Sequence, residues 1–179
     1  ETVTWGPTTG DTIWVGKVRA LPIDPNVIVD PATFDPDNLN AGWEVVDISN
    51  TKYFKVALDS WNSWLGIPEY TFPEGTTGFK CMAKYEAGTS GYTVDQVNTF
   101  LKFSDPGWAE IAAAGSASSA TFKEYIVNIA DASKHAGIFQ VAGQETTGWS
   151  AVAGDFLYIS KVEAVVPVQK ATITFVIDD

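Results

Sequence analysis

The chain has 179 residues, 45% of them apolar, so it can bury the core of one domain and is not a disordered segment. Its 11 Lys plus Arg stand against 22 Asp plus Glu, a net charge of −11. With a single Arg (Arg19), nucleic acid and anionic membrane surfaces are poor partners. One Cys (Cys81) and one His (His135) leave no internal disulfide, thiolate metal site or multi-His centre. No GxxxxGK or GxGxxG loop supports nucleotide chemistry. The longest apolar runs are too short to cross a bilayer, and no basic-then-apolar leader opens the chain. Against these exclusions stand seven Trp.

Residue usage favours strands: Val, Ile, Thr, Tyr, Phe and Trp cluster in runs separated by Gly, Pro, Asn, Asp and Ser. In chain order, the first expected strand is Thr12 to Arg19. Pro22, Pro25, Pro31 and Pro36 then mark Leu21 to Asn40 as an irregular excursion. Trp43 to Ile48 follows, then Lys52 to Asp59, which alternates Phe54, Val56 and Leu58 against Lys55, Ala57 and Asp59. Asp59 to Gly66 reads as a strand-end loop. Gly78 to Glu86 alternates again, with Phe79, Cys81, Ala83 and Tyr85 on one face. A helical turn is expected at Thr93 to Val97, with Thr93 as N-cap. Asn98 to Ser104 is the next strand, and Gly107 to Ala114 reads as one or two helical turns. Thr121 to Ile129, Ile138 to Gln144 and Phe156 to Val166 complete about eight strands. Spacing of this kind reads as all-β, a β-sandwich jelly roll with two antiparallel sheets. Residues 1–166 form the expected module; 167–179 read as a last strand or the start of a linker, so the chain reads as a piece of a longer protein.

The Trp divide by context. Trp5, Trp14 and Trp43 lie in or beside strand-like segments and need only a core. Trp61 and Trp64 (Asp59-Ser60-Trp61-Asn62-Ser63-Trp64), Trp108 (Asp105-Pro106-Gly107-Trp108) and Trp149 (Thr147-Gly148-Trp149) follow strand ends in polar segments. Loops at one rim of a rigid sandwich are where binding sites are built. A pyranose ring has an apolar C–H face, which suits an indole, and a rim of hydroxyls, which suits amides and carboxylates. Gln140 and Gln144 share one face of their strand by even spacing, away from Phe139 and Val141. Carboxylates at Asp59, Glu69, Glu86, Glu124 and Asp155 occur in no recognisable catalytic context, and solvation accounts for most of them. Asp24, Asp30, Asp35 and Asp37 crowd the excursion, where an oxygen-rich loop can hold Ca²⁺. Their spacing matches no defined calcium motif, and Asx-turns explain the same residues; a structural calcium stays open. His135 falls in a polar connector and Cys81 on a core face.

The C-terminal half, through Tyr125 to Ile129, Ile138-Phe139-Gln140-Val141-Ala142-Gly143-Gln144 and Gly154 to Val162, resembles a bacterial carbohydrate-binding module of the jelly-roll type, as attached to plant-cell-wall glycoside hydrolases. The resemblance covers about half of the chain. It implies a non-catalytic, secreted and monomeric module, carried on a longer chain with a catalytic module and needing no cofactor. Such a module binds a β-glucan, xyloglucan or related β-linked glycan, with Gln140 and Gln144 on the polar strand of the cleft. Trp61, Trp64, Trp108 and Trp149 would be its stacking platform. The alternative is a structural or adhesive sandwich with a protein partner, which expects Trp61 and Trp64 packed beneath a neighbouring strand. A third reading, a glycoside hydrolase, expects a working pair of carboxylates.

Overall fold

The computed structural model describes residues 24–58, 63–113 and 118–167. The expected strand Thr12 to Arg19, the segment Asp59 to Asn62 with Trp61, and the C-terminal segment from residue 168 lie outside the described residues, as do Trp5 and Trp14. The strands are β1 (Val27–Val29), β2 (Trp43–Ile48), β3 (Thr51–Leu58), β4 (Ser63–Thr71), β5 (Gly78–Glu86) and β6 (Val97–Ser104). They continue with β7 (Glu110–Ala113), β8 (Lys123–Asn128), β9 (His135–Glu145), β10 (Asp155–Ile159) and β11 (Val162–Val165).

β10 and β11 act as one interrupted strand. β5 pairs with β10 along one half of an edge and with β11 along the other. At the interruption Ser160 keeps the ladder closed: its N–H donates to the Met82 carbonyl and its Oγ accepts from the Met82 N–H, both at 2.9 Å. From β3 onward the order is then β3-β10/β11-β5-β8 in one sheet and β4-β9-β6-β7 in the other, all antiparallel. That is the jelly-roll arrangement expected from the strand spacing. β2 extends the first sheet beyond β3, and β1 pairs antiparallel with β11, Val27 opposite Glu163 and Val29 opposite Val162.

The alternating pattern decides what the sandwich encloses. Phe54, Val56 and Leu58 on β3, and Phe79, Cys81, Ala83 and Tyr85 on β5, point inward and are buried. They meet Leu65, Leu101, Phe103, Phe139 and Val141 from the second sheet. Aromatic rings link the layers: Phe79 stands edge-on to Phe103 at 4.8 Å, and Phe103 stacks on Phe139 at 4.8 Å. Trp43 is buried, as its strand context indicated, edge-on to Phe54 and Phe139. Each such ring contributes about 1.5–3 kcal/mol through burial.

Three expectations need correction. Ser63 to Gly66 is not loop but the start of β4, where Gly66, Pro68 and the polar flanks obscured a strand. β4 is the edge of its sheet, and its register with β9 shifts between Gly66 and Tyr70, so Pro68 breaks no ladder. Among the described residues of Gly107 to Ala114 there is no helical turn: Glu110–Ala113 is the edge strand β7, because pairing with β6 overrides the helix preference of alanine. The Leu21 to Asn40 excursion contains β1. The turn at Thr93 is present as a 3-10 turn, Val94–Gln96, closed by a capping box between Thr93 and Gln96.

Candidate functional site

The outer face of the β4-β9-β6-β7 sheet follows from the same alternation. On β9, Phe139 and Val141 enter the core, so Ile138, Gln140, Ala142 and Gln144 take the other side. On β6, Val97, Leu101 and Phe103 enter the core, leaving Asn98, Phe100, Lys102 and Ser104 outside. On β4, Leu65 is inward and Trp64 outward. Strand register then lines up a row across the sheet: Trp64 lies opposite Gln140, and Gln140 opposite Lys102. A second row pairs Phe100 with Ala142 and a third Asn98 with Gln144.

Trp64 is half-buried, and Trp108 joins it from the β6–β7 turn with ring centroids 5.3 Å apart and planes at 75°. Asp105 shapes that turn. Its Oδ1 accepts from the N–H of Gly107 at 2.9 Å and of Ala109 at 2.8 Å, and the Trp108 N–H donates to its carbonyl at 3.0 Å. Trp108 consequently adopts φ +71 and remains 51% exposed. A non-glycine residue in this left-handed region costs roughly 1–2 kcal/mol, which the hydrogen bonds of the turn offset. Gln140 accepts from the Ser104 Oγ at 3.4 Å. Lys102 lies 3.8 Å from Glu110 across β6 and β7.

Trp149 repeats the device at the other end of β9. Glu145 accepts from the N–H and Oγ of Thr147 at 2.8 and 2.6 Å and from the N–H of Gly148. These bonds hold its carboxyl below the usual range. Trp149 has φ +59 and is 67% exposed. From Gln140 to Glu145 the strand advances about 17 Å, so Trp149 is separate from the Trp64–Trp108 pair. Gln144 lies beneath the Trp149 turn: its side chain is 4% exposed and donates Nε2 to the Trp149 carbonyl at 3.4 Å.

Of the residues singled out in the sequence, the fold thus brings Trp64, Trp108 and Gln140 together. It sets Gln144 and Trp149 apart, and Trp61 lies outside the described residues. The polar face of β6, Asn98, Lys102 and Ser104, escaped the sequence reading, although its alternation with Val97, Leu101 and Phe103 is visible there. Among the described residues the carboxylates are dispersed, and Asp59 lies outside them. Asp155 is fully buried under bonds from Tyr85 and Ser90 side chains and from the N–H groups of Gly88 and Ser90. Glu86 bonds Lys84 and Tyr158 on the other sheet, Glu124 pairs with Lys80, and Glu69 lies 3.5 Å from His135. Asp24, Asp30 and Asp35 each cap an Asx-turn, accepting from Asn26, Ala32 and Asp37 N–H groups at 3.0, 2.8 and 3.1 Å. Among the described residues no group of three or more His, Cys, Asp or Glu is gathered to hold a metal ion.

No family model matches the chain, and no curated protein matches its sequence. Among solved structures, it is similar to a mutant family 29 carbohydrate-binding module complexed with cellulohexaose, at 12% identity and TM-score 0.46, over 78% of this chain and 89% of that one. It is similar also to a family 6 module from Clostridium stercorarium in complex with cellobiose, at 8% identity and TM-score 0.46, over 72% and 85%. A glycoside hydrolase family 43 arabinoxylan arabinofuranohydrolase from Bacillus subtilis, in complex with cellotetraose, matches at 12% identity and TM-score 0.45 over 68% of this chain. The present chain spans 23% of that hydrolase's length.

Proposed function

We propose that the protein is a non-catalytic module that binds a β-linked plant-cell-wall polysaccharide, a β-glucan, xyloglucan or relative, on the outer face of the β4-β9-β6-β7 sheet. The observation that carries this reading is the Trp64–Trp108 pair, two indoles set at 75° on a sheet face that also presents Gln140 and Lys102. One sugar ring stacks on an indole through its C–H face, while the amide and ammonium groups bond its hydroxyls and set its orientation. A stacked ring is worth about 0.5–1.5 kcal/mol beyond its area burial, going by aromatic pairs. The protein-adhesion alternative needs Trp64 packed beneath a strand; its place on the outer face of an edge strand favours a ligand instead. Secretion, a monomeric state and carriage beside a catalytic module belong to this proposal through the family resemblance alone.

Affinity electrophoresis in gels containing β-glucan, xyloglucan, xylan or mannan tests the reading. Retardation by at least one neutral glycan, lost in Trp64→Ala and Trp108→Ala, is the expected result. Unretarded migration of the wild-type chain in all four gels overturns it.

A further inference from the structure

A groove of about 570 Å³ opens beyond the edge of β4 that pairs with no other described strand, between β4 and the 27–40 segment. The volume lies within the roughly 300–1,000 Å³ of small-molecule sites. We infer that this groove is a second sugar subsite, continuous with the Trp64 platform, and that it selects an uncharged sugar. The inference rests on the glycan-binding reading above.

Continuity comes from register. The row Lys102, Gln140, Trp64 runs across the strands at about 5 Å per step, so a chain laid along it leaves the sheet over β4. Trp64 and Gly66 line the groove as well as facing the platform side. The groove combines an apolar wall, which includes Ile28, Phe34 and Ile67, with a polar rim that includes Asn38 and Asn40. This is the mixture that a sugar's C–H face and hydroxyls require. The rim is held in place: Asn40 donates Nδ2 to the Trp64 carbonyl at 2.8 Å, and Asn38 donates Nδ2 to Asp35 at 3.3 Å. Tyr70 fastens the far side by donating its hydroxyl to the Pro25 carbonyl at 2.5 Å.

Charge supplies the selectivity. Asp30 and Asp35 line the groove, and among the described residues that line it there is no Lys or Arg. A carboxylate-bearing sugar would meet two like charges and no counter-charge on the groove lining, Lys161 facing Asp30 from outside it, whereas a neutral hexose or pentose meets hydrogen-bonding groups. Gly66 keeps the junction open. Its backbone is not in the left-handed region, and a Cβ there would touch only the Trp64 ring, at 3.8 Å. A larger side chain is therefore compatible with the strand and would fill the passage.

The test is calorimetric titration with neutral β-1,4-linked gluco-oligosaccharides of two and six units, and with the hexamer oxidised to a glucuronate at one end. Gly66→Val, by filling the passage, and Asn38→Ala, by removing a hydrogen-bonding group, are expected to weaken hexamer binding about tenfold; Asn38→Ala, on the groove rim away from the Trp64 ring, leaves the dimer unchanged. Asp35→Asn retains the turn cap and is expected to improve binding of the oxidised hexamer relative to the neutral one. Thermal unfolding confirms the fold of each variant, and Asn38→Ala, on an exposed turn, serves if Gly66→Val does not fold. If Trp64→Ala abolishes binding while Asn38→Ala and Asp35→Asn change neither length nor charge preference, the groove is not a subsite and the platform reading stands. If the wild-type chain binds none of the three probes, the inference falls; retardation by another glycan in the gels would still leave the platform reading intact.

Discussion

Trp108 and Trp149 owe their exposure to the same local chemistry, an acidic side chain that gathers the N–H groups of the following turn and a Gly-Trp step at its end. Because the left-handed backbone costs a non-glycine residue roughly 1–2 kcal/mol, and asparagine less, Trp149→Asn should raise stability by about 1 kcal/mol in urea unfolding. It should leave binding at the distant Trp64 platform unchanged. Asp155 makes a different prediction. Burial pushes its carboxyl up, but bonds from Ser90, Tyr85 and Gly88 outweigh burial and hold it below its usual value near 3.8. The resulting stabilisation is fully present above the unfolded-state value and disappears as pH falls through the lower folded-state value. Unfolding free energy should therefore be level near neutrality and drop below about pH 4. Asp155→Asn should cost about 1–3 kcal/mol at pH 7 by leaving donors unsatisfied, and should flatten that acid limb when melting is followed against pH.

At the scale of elements, β5 is placed against β8 by a close backbone approach. A Cβ at Gly78 would lie 2.5 Å from the Val127 carbonyl oxygen on β8, a backbone atom that cannot rotate away. Gly78→Ala should destabilise the fold by about 1–3 kcal/mol and speed hydrogen exchange across Lys123–Asn128 before the remaining strands respond. Such elements differ in how openly the sequence displays them. β2 and β5 are legible end to end, and β3 and β6 to within one residue: β3, β5 and β6 because one face is mainly apolar and the other mainly polar, β2 because its Trp, Val and Ile are strong strand formers. β4 was hidden because an edge strand with a register shift can carry Gly66 and Pro68, residues that elsewhere signal a loop. β7 was hidden because its alanines acquire strand geometry only from β6. The site was legible in its parts, Trp64, Trp108 and Gln140. Their meeting on one sheet face depends on the β4–β9 register, a non-local pairing that no short window of residues contains. Gln144 shows the limit of periodicity: it shares the face of Gln140, yet the turn carrying Trp149 closes over it.

For the whole molecule, the lone thiol gives a direct measure of global opening. Cys81 lies between the sheets, and burial pushes its pKa up to about 12, so the native state offers almost no reactive thiolate. Labelling by a thiol reagent near neutral pH should be slow and should follow the rate or population of unfolding, accelerating in step with urea-induced loss of the fold. The net charge of −11 carries a separate expectation. A neutral glycan has no charge for this field to attract, so retention in a glucan gel should not change between low and high salt.

The antiparallel pairing of β1 with β11 also has a mechanical meaning. Val27 faces Glu163, so the described chain enters beside the point where β11 is about to leave it. Tension applied at Asp24 and Pro167 would peel these two strands apart like a zip, loading one hydrogen bond at a time rather than shearing several together. A pulling experiment with handles at Asp24 and Pro167 should record the first yield at β1, at low force, with the sheet face bearing Trp64 and Trp108 still folded.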